Sequence, residues 1–435
     1  MTQSQQTQAQ PRSDEPAPAP APGPRTSADP PGSWADRFDR IMPFGSSTSS
    51  KRARLEPEEP TVIVRGSGCR VWDDQDRELI DFRNALGPIT LGYRHPVVDA
   101  AIRDQLEQGI VFGHPHPIEC EVAELFCDLV PGMEQARFLK TGGEAIAAAI
   151  RIARAHTGRD RIVQIGYNGW LNSLGGGAAV LPGRAGGEVP GVPRALSELH
   201  HPVGWNDLGA VERVLTEHPG EVAAVVIAAD YARMAEGRVF YPALRRLVDD
   251  HGTLLIFDEI VTGFRIAVGG VTEYFGVTPD LAVFGKGIAN GMPISVYAGR
   301  REVMAACGPG GAVVSTTFGG ETLSLAAARA TMELYRTGDV VGHLWRQGER
   351  LWPAVTALLA EHGLPITVEG LAPCPTFVPA PDAPAGLLDH FFRAAYRHGV
   401  SFYNVSYVNL GHADADLDET LVRLRRAVAE IGARS

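Results

Sequence analysis

Short apolar runs alternate with amphipathic stretches from about residue 61 to residue 325. The amphipathic stretches, such as Glu144–His156 and Tyr241–Asp250, have the spacing of helices that cover one side of a sheet. The strand-like runs are Thr61–Val64, Arg161–Ile165, Val222–Ala228, Leu254–Phe257 and Leu281–Phe284. Because most of these runs are almost entirely apolar, both faces of their sheet are expected to be covered. The pattern therefore predicts an α/β fold built on a mainly parallel sheet.

The pattern changes at both ends of this region. Residues 1–33 are mainly Gln, Pro, Ala and Ser, and such a segment cannot bury enough apolar surface to offset its ordering entropy, so we expect it to be disordered. Trp34, Phe38 and Ile41 then have the spacing of a short amphipathic helix. Beyond residue 325 long amphipathic helices predominate, which indicates a smaller C-terminal domain.

Composition narrows the class of protein. The chain has 435 residues and a net charge of −11, which argues against a nucleic-acid-binding surface. No apolar run approaches the roughly 18 residues that a membrane-spanning helix needs, and the N-terminus lacks the pattern of a secretory signal. The five cysteines are scattered without metal-binding spacing, which favours reduced thiols. We therefore expect a cytoplasmic protein with neither a membrane nor a nucleic-acid partner.

Two strand ends carry the most informative side chains. The run Leu254–Phe257 is followed by Asp258, and the run Leu281–Phe284 is followed by Gly285 and Lys286. In an open α/β sheet, ligands bind beyond the carboxyl ends of the strands, so the carboxylate and the amine are expected to project into one crevice. An amine that can bind an aldehyde and a carboxylate that can hold a ring nitrogen protonated are what pyridoxal 5′-phosphate requires. The alternative is a buried structural ion pair.

Two further segments favour this cofactor. Gly142 and Gly143 precede an Ala-rich helix, where small residues let backbone amides approach a phosphate and the helix dipole favours its charge. The alternative for a Gly-Gly pair before a helix is an ordinary turn. Tyr167 follows the strand Arg161–Ile165 and can stack on a flat heterocycle, with a core tyrosine as the alternative.

Together these segments resemble the class III aminotransferase family, and within it the branch of glutamate-1-semialdehyde aminomutase. The resemblance extends from about Phe38 to Ile431. Its motifs are Pro43–Arg52, Leu86–Gly92 with His95-Pro96, Phe112-Gly113, Thr141–Ala145, Tyr167–Gly169, Asp258–Arg265, Gly285–Gly287 and Thr317–Gly320. It implies fold-type I of the pyridoxal-phosphate-dependent transferases, with a large mainly parallel domain and a smaller α+β domain. The implied divisions are an N-terminal segment of the small domain (34–105), the large cofactor-binding domain (106–325) and the C-terminal small domain (326–435).

The resemblance also implies roles for residues around the ring of the cofactor. Lys286 is implied to carry the cofactor covalently, and Asp258 is implied to pair with the pyridine nitrogen. Tyr167 is implied to stack on one face of the ring, and Ile260 to pack against the other.

The phosphate contacts are implied in the same way. The backbone amides of Gly142 and Gly143 are the implied ligands. Gly143 replaces the family's usual Thr, so one hydroxyl contact is absent and backbone amides must suffice. Thr317 is implied to be a phosphate ligand donated by the neighbouring subunit, which makes the expected protein an obligate homodimer with shared active sites.

Other departures from the family fall on the substrate side. The aminomutase's Trp just before Gly87 is Leu86 here, and its acidic residue in the C-terminal domain aligns with Asn404. The usual His after the stacking Tyr is Asn168. These changes leave the cofactor residues intact and argue against aminomutase activity.

Two observations concern substrate and metal contacts. No Arg or Lys lies between Arg397 and Arg423, where many class III transaminases carry an Arg that binds an α-carboxylate. His114 and His116 lie in a segment expected near the pocket mouth, but without carboxylate or Cys neighbours a metal site is disfavoured. We expect no metal, and we take His114 as a candidate substrate contact.

We therefore expect a pyridoxal-phosphate-dependent aminotransferase that moves an amino group from an amino donor to a carbonyl acceptor in specialised biosynthesis. Lys286 is the natural general base and acid for the proton shift. The alternatives are an aminomutase of the glutamate-1-semialdehyde type, and an epimerase or decarboxylase. A cofactor-binding regulatory protein is disfavoured because Lys286 and Asp258 are both present.

Overall fold

The computed structural model describes residues 32–169 and 191–432. The predicted disordered tail falls almost entirely on residues 1–31, which lie outside the described residues. The chain divides into two compact units between Arg52 and Ala53. Among the described residues, no helix is both long enough and apolar enough to cross a membrane.

The first unit contains the predicted amphipathic helix, α1 (Trp34–Ile41). Ser33 caps it, because the Ser33 hydroxyl accepts a hydrogen bond from the Asp36 amide at 3.2 Å. The Ser33 amide in turn donates a hydrogen bond to Asp36 Oδ2 at 3.0 Å, which completes a capping box. The helix is therefore fixed by local chemistry at its start.

The second unit alternates strands and helices over most of its length. Its helices are α2 (Pro96–Leu106), α3 (Pro117–Leu129), α4 (Gly142–Thr157), α5 (Arg194–Ser197), α6 (Leu208–Glu217), α7 (Gly237–Asp250), α8 (Gly270–Phe275), α9 (Arg301–Met304), α10 (Thr322–Thr337), α11 (Val340–Glu361), α12 (Leu387–Arg397) and α13 (Asp414–Gly432). Its strands are β1 (Ile63–Ser67), β2 (Arg70–Asp73), β3 (Glu78–Asp81), β4 (Gln135–Leu139), β5 (Arg161–Ile165), β6 (His200–Val203), β7 (Val222–Ala228), β8 (Leu254–Asp258), β9 (Leu281–Phe284), β10 (Ser295–Gly299), β11 (Ile366–Glu369), β12 (Thr376–Pro379) and β13 (Val400–Ser401).

A seven-stranded sheet forms the centre of this unit, in the order β4-β10-β9-β8-β7-β5-β6. The neighbours from β9 to β6 run parallel, whereas β10 is antiparallel to both β9 and β4. The mainly parallel α/β sheet predicted from the sequence is confirmed.

The first four residues of β8, Leu254–Phe257, are all apolar because the sheet is covered on both faces. Leu255 and Phe257 belong to the hydrophobic core on one face of the sheet. Leu254 and Ile256 belong to the core on the other face, which also contains the buried side of α4. Because successive side chains point to opposite faces, a strand covered on both sides needs an apolar residue at every position.

A second, four-stranded sheet has the order β1-β2-β3-β13, with β13 parallel to β3. Its strand β3 and the helix α12 share one core, in which Ile80 and Phe82 belong to the same cluster as Phe391. The strand predicted at Thr61–Val64 lies at Ile63–Ser67 instead, because the turn into β2 begins only at Gly68, which has a φ of +56°. The domain boundaries implied by the family resemblance stay a prediction.

Candidate active site

Asp258 and Lys286 follow neighbouring strands at the same edge of the large sheet. Asp258 ends β8 and pairs in register with Val283 of β9, which lies three residues before Lys286. The backbone of Lys286 has a φ of +43°. This left-handed conformation is uncommon for a residue with a side chain and costs free energy, so the surrounding structure must impose it.

The two groups share one electrostatic environment. Burial raises the pKa of Asp258 to about 6, while the Ile260 amide, which donates a hydrogen bond to Oδ1 at 3.1 Å, and the Lys286 charge act to lower it. Burial lowers the pKa of Lys286 to about 8, and the Asp258 charge opposes that shift. Both side chains are nevertheless partly accessible to solvent. Groups that are desolvated yet reachable are typical of the floor of a cleft.

Ile260 and Tyr167 lie beside this pair. A Cβ atom added to Gly142 or to Gly285 would lie 2.9 Å from Ile260 Cδ1, so Ile260 packs against both glycines. Tyr167 is 44% exposed, and burial of its phenol together with the Asp258 charge raises its pKa. The structure therefore brings together the residues that the sequence predicted around the ring.

The predicted phosphate site is the N-terminus of α4. Thr141 caps the helix, with its amide donating to Glu144 Oε2 at 2.7 Å and its hydroxyl accepting from the Glu144 amide at 3.4 Å. Because α4 begins at Gly142, two residues earlier than predicted, the amides of Gly142 and Gly143 belong to its first turn. The first amides of a helix lack partners within the helix and suit an anion.

Asn168 supplies a test of whether a polar ligand fits here. Its side chain is 1% exposed and lies close enough to Asp258 to lower the pKa of that carboxyl group. Neither polar atom of the amide has a hydrogen-bond partner of good geometry among the described residues. A buried amide without partners is costly, so this position suits a ligand that carries polar ring substituents. The residues present fit pyridoxal phosphate.

Three other predicted residues are exposed in the structure. Thr317 is exposed on the loop before α10. Asn404 is exposed, and its carbonyl accepts a hydrogen bond from the Phe377 amide at 3.0 Å. His114 is an exposed loop residue. Their predicted roles remain untested, and the described residues contain no cluster of three or more potential metal ligands.

Leu86 lies in a turn of unusual backbone conformation. Asn84, Ala85, Leu86 and Gly87 have φ values of 46°, 53°, 71° and 104° in succession. Side-chain hydrogen bonds hold the turn, since Asn84 Nδ2 donates to the Tyr407 carbonyl at 3.1 Å. A run of three residues with side chains in this region is costly and requires such support.

The sequence analysis missed several groups near Lys286. The charges of Arg265 and Cys374 both influence the pKa of Lys286. Tyr231 and Tyr407 in turn lie within electrostatic range of Arg265 and Cys374. Arg265 is the last residue of the motif Asp258–Arg265, and this position was the sequence feature that could have placed it near the site.

The family follows from a direct comparison. A model of the family described as aminotransferase class-III matches residues 52–407. The chain belongs to this family. It is 32% identical over 418 residues to a glutamate-1-semialdehyde 2,1-aminomutase of Aquifex aeolicus, with 90% of this chain and 97% of that one covered. The protein is therefore an enzyme of the class III aminotransferase family.

Solved structures agree with this assignment. A transaminase with pyridoxal phosphate bound is 27% identical, with a TM-score of 0.84 and coverage of 92% of this chain and 97% of that chain. An omega-transaminase from Sphaerobacter thermophilus is also 27% identical, with a TM-score of 0.81 and the same coverage of both chains. The fold is fold-type I, and the cofactor is pyridoxal 5′-phosphate.

Proposed function

We propose that this protein is an aminomutase of the glutamate-1-semialdehyde type, which moves an amino group between two carbons of a single substrate. The observation that carries the proposal is the similarity to aminomutases along nearly the whole chain, including 34% identity over 408 residues to the one from Syntrophobacter fumaroxidans. Transfer between separate molecules, which the sequence analysis preferred, is less well supported by these relatives and becomes the second candidate.

The proposed chemistry assigns Lys286 the central task. When bound, the cofactor supplies an aldehyde that takes up an amino group and a protonated ring that accepts electrons. Once its amine is free, Lys286 would remove a proton at the reacting carbon and return one. Asp258 keeps the ring nitrogen protonated through its negative charge, which the Ile260 amide stabilises at 3.1 Å.

The surroundings of Lys286 suit an intermediate that must stay bound. A mutase holds its carbonyl intermediate until the amine is returned, so water and exchange must be excluded. Cys374 and Tyr407 are 1% and 5% exposed, and Arg265 is fully buried. Arg265 and Cys374 both influence the pKa of Lys286, so their burial supports a site that limits the access of water to the intermediate.

The second candidate, an intermolecular aminotransferase, is supported by specific residues. Leu86 and Asn404 stand where the aminomutase has a Trp and an acidic residue, so two polar or aromatic contacts expected for holding the intermediate are absent. Two solved structures at 27% identity are described as transaminases. A released keto product needs no such retention.

Isotopic nitrogen separates the two candidates. The purified enzyme is supplied with glutamate-1-semialdehyde labelled with heavy nitrogen, mixed with an unlabelled amino donor. An aminomutase returns labelled product without any acceptor, and the label remains on the original skeleton. If the product requires a separate carbonyl acceptor and the label appears in that acceptor, the aminotransferase is the correct function.

We also propose that the enzyme is a cytoplasmic homodimer in which Thr317 reaches the partner's cofactor phosphate. The exposed position of Thr317 on a loop is compatible with this role. Subunit mixing, described below, tests it.

A further inference from the structure

Arg265 is a buried cation held by neutral groups. Its side chain is 0% exposed. Nε donates a hydrogen bond to the Val261 carbonyl at 2.9 Å, and Nη2 donates one to the Gly87 carbonyl. Nη1 has no hydrogen-bond partner within the ranges 32–169 and 191–432. The guanidinium group also lies over the Tyr407 ring, with Cζ 4.5 Å from the ring centroid.

The charge of Arg265 has no counter-ion in the part of the chain that the structure describes. Arg83 provides a comparison, since it lies over the Tyr403 ring at 4.7 Å but also forms a salt bridge to Glu59 at 2.5 Å. None of the salt bridges among the described residues involves Arg265. An uncompensated buried charge costs several kcal/mol, so packing alone gives no reason to keep a cation at this position.

Arg265 lies close to Lys286 in the fold, because a Cβ atom added to Gly287, the residue after Lys286, would lie 3.5 Å from Cβ of Phe264, the residue before Arg265. Asp258, on the neighbouring strand end, favours the protonated amine. Arg265 acts in the opposite direction and lowers the pKa of the amine, while the Cys374 thiol, when ionised, raises it. Burial is the largest influence and acts in the same direction as Arg265. A like charge nearby disfavours a second positive charge.

Other titratable groups surround Arg265 itself. Tyr231, Tyr407 and Cys374 all lie within range of its charge, as does Tyr335. Burial raises the pKa of each of these groups, so they stay neutral near pH 7 and do not cancel the guanidinium charge. Among the described residues, Asp258 is therefore the anion that opposes the effect of the Arg265 charge on Lys286.

We propose that Arg265 is a positioning residue that weakens proton binding by the Lys286 amine, and thus favours the form that can accept a proton, while it fixes Tyr407 and the 84–87 turn beside it. The inference rests on the proposed role of Lys286 as the proton carrier. It holds equally for an aminomutase and an aminotransferase, because both reactions need the free amine as a base. In this proposal Arg265 acts through Lys286.

The test measures the Lys286 amine directly. The full chain is loaded with pyridoxamine 5′-phosphate, the aminated cofactor, which leaves Lys286 unattached. The rate at which acetic anhydride acylates Lys286 is then followed by peptide mass spectrometry as a function of pH. Arg265→Met should raise the apparent pKa of the amine by about one unit, which reduces acylation near pH 7 by about tenfold. Arg265→Lys keeps the positive charge and should leave the profile nearly unchanged.

Two further variants keep the test decisive. Arg265→Gln removes the charge but retains a donor for the Gly87 carbonyl, so it carries the same expectation if the Met variant fails to fold. Arg83→Met is the matched control, since it removes a partly buried cation over an aromatic ring that is not among the groups that shift the pKa of Lys286, and its acylation profile should equal that of the wild type.

The pH dependence of kcat gives an independent readout, with the acidic limb moving to higher pH in the neutral variants. If both neutral variants lose thermal stability but leave the acylation profile of Lys286 unchanged, Arg265 has a structural role and the proposal is wrong. Since acylation requires no turnover, failure of the proposed reaction leaves this measurement interpretable.

Discussion

Asp258 and Lys286 lie on adjacent parallel strand ends, and each stabilises the charged form of the other against the cost of burial. The register pairs Asp258 with Val283, three residues before Lys286. The pKa of the acid is raised to about 6 and that of the base is lowered to about 8, so the two values approach each other. Values shifted by burial together with a specific charge partner are typical of functional sites.

Asp258→Asn tests the charge at the ring nitrogen. The amide is nearly the same size, so cofactor binding should persist, but it cannot hold the nitrogen protonated. Turnover should fall by roughly a hundredfold or more. Steady-state rates combined with a cofactor titration measure both effects. A loss of only a few-fold would mean that another group pairs with the ring.

Lys286→Ala tests the attachment of the cofactor. The phosphate and ring contacts remain, so the variant should fold and retain cofactor without a covalent link. Treating the wild-type enzyme with borohydride should fix the cofactor on the peptide that contains Lys286. Circular dichroism controls for folding. Labelling of a different lysine contradicts the assignment.

Much of this site was predictable because it depends on strand ends. Asp258 and Lys286 each follow an apolar run, and the rule that ligands lie beyond the carboxyl ends of parallel strands is read from local pattern. The position of Cys374 could not be predicted, because it lies in the loop between β11 and β12, and no periodicity fixes where a loop meets the rest of the fold. The left-handed conformation of Leu86 could not be predicted either. Four consecutive residues in the segment 84–87 have positive φ, but only one of them is a glycine.

A partly buried ion pair next to the predicted phosphate site at the N-terminus of α4 leads to a prediction about cofactor affinity. Lys140 Nζ lies 2.8 Å from Glu321 Oε2, and the side chains are 16% and 12% exposed. Glu321 also caps α10 by accepting a hydrogen bond from the Leu323 amide at 2.6 Å. The pair therefore joins the residue before Thr141 to the start of α10.

Lys140→Met leaves the partly buried Glu321 carboxylate without its cation. This change should displace the N-terminus of α4, where Gly142 and Gly143 form the predicted phosphate site. We expect pyridoxal 5′-phosphate to bind at least about tenfold more weakly, while pyridoxal, which lacks the phosphate, should bind within about twofold of wild type. Arg329→Met is the control, because it also removes a salt bridge made by α10. That bridge, to Glu121 of α3, is about half exposed. Equal weakening of both ligands would point to general destabilisation instead.

The shared active site can be tested by mixing subunits. Inactive Lys286→Ala protein is combined with a Thr317→Ala variant under conditions that exchange subunits. If Thr317 serves the partner's site, each hybrid dimer has one site with both changes and one site with neither, so activity returns. Native mass spectrometry verifies the hybrids. Proven exchange without recovered activity would show that Thr317 acts within its own subunit or in no site.

A buried histidine predicts how stability depends on pH. His412 is 0% exposed, and its ring stacks on Phe82 with a centroid distance of 4.4 Å. Its Nδ1 accepts a hydrogen bond from the Asn409 amide at 3.0 Å, so the neutral ring is part of the fold. Burial lowers the pKa of His412 to about 3.

The sign of the effect follows from proton binding. In the unfolded chain His412 takes up a proton as the pH falls below about 6.5, whereas the folded protein keeps the ring neutral down to about pH 3. Below pH 6.5 the unfolded state thus binds more protons, and stability falls as the pH falls. His412→Phe keeps the stacking and removes this titration. Its free energy of unfolding should vary with pH less steeply than that of the wild type, by about 1.4 kcal/mol per pH unit between pH 4 and 6.

Urea denaturation at several pH values measures this slope. The Phe variant should be somewhat less stable than the wild type at pH 7, because the Asn409 amide loses its acceptor at a cost of about 1–3 kcal/mol. His114→Phe serves as the control, since His114 is exposed and its replacement should leave the slope unchanged. If His412→Phe retains the wild-type slope, His412 is protonated in the folded protein, and the loss of stability in acid must come from other groups. Asp258 and Glu259 cannot cause that loss, because their raised pKa values make the folded state bind more protons as the pH falls.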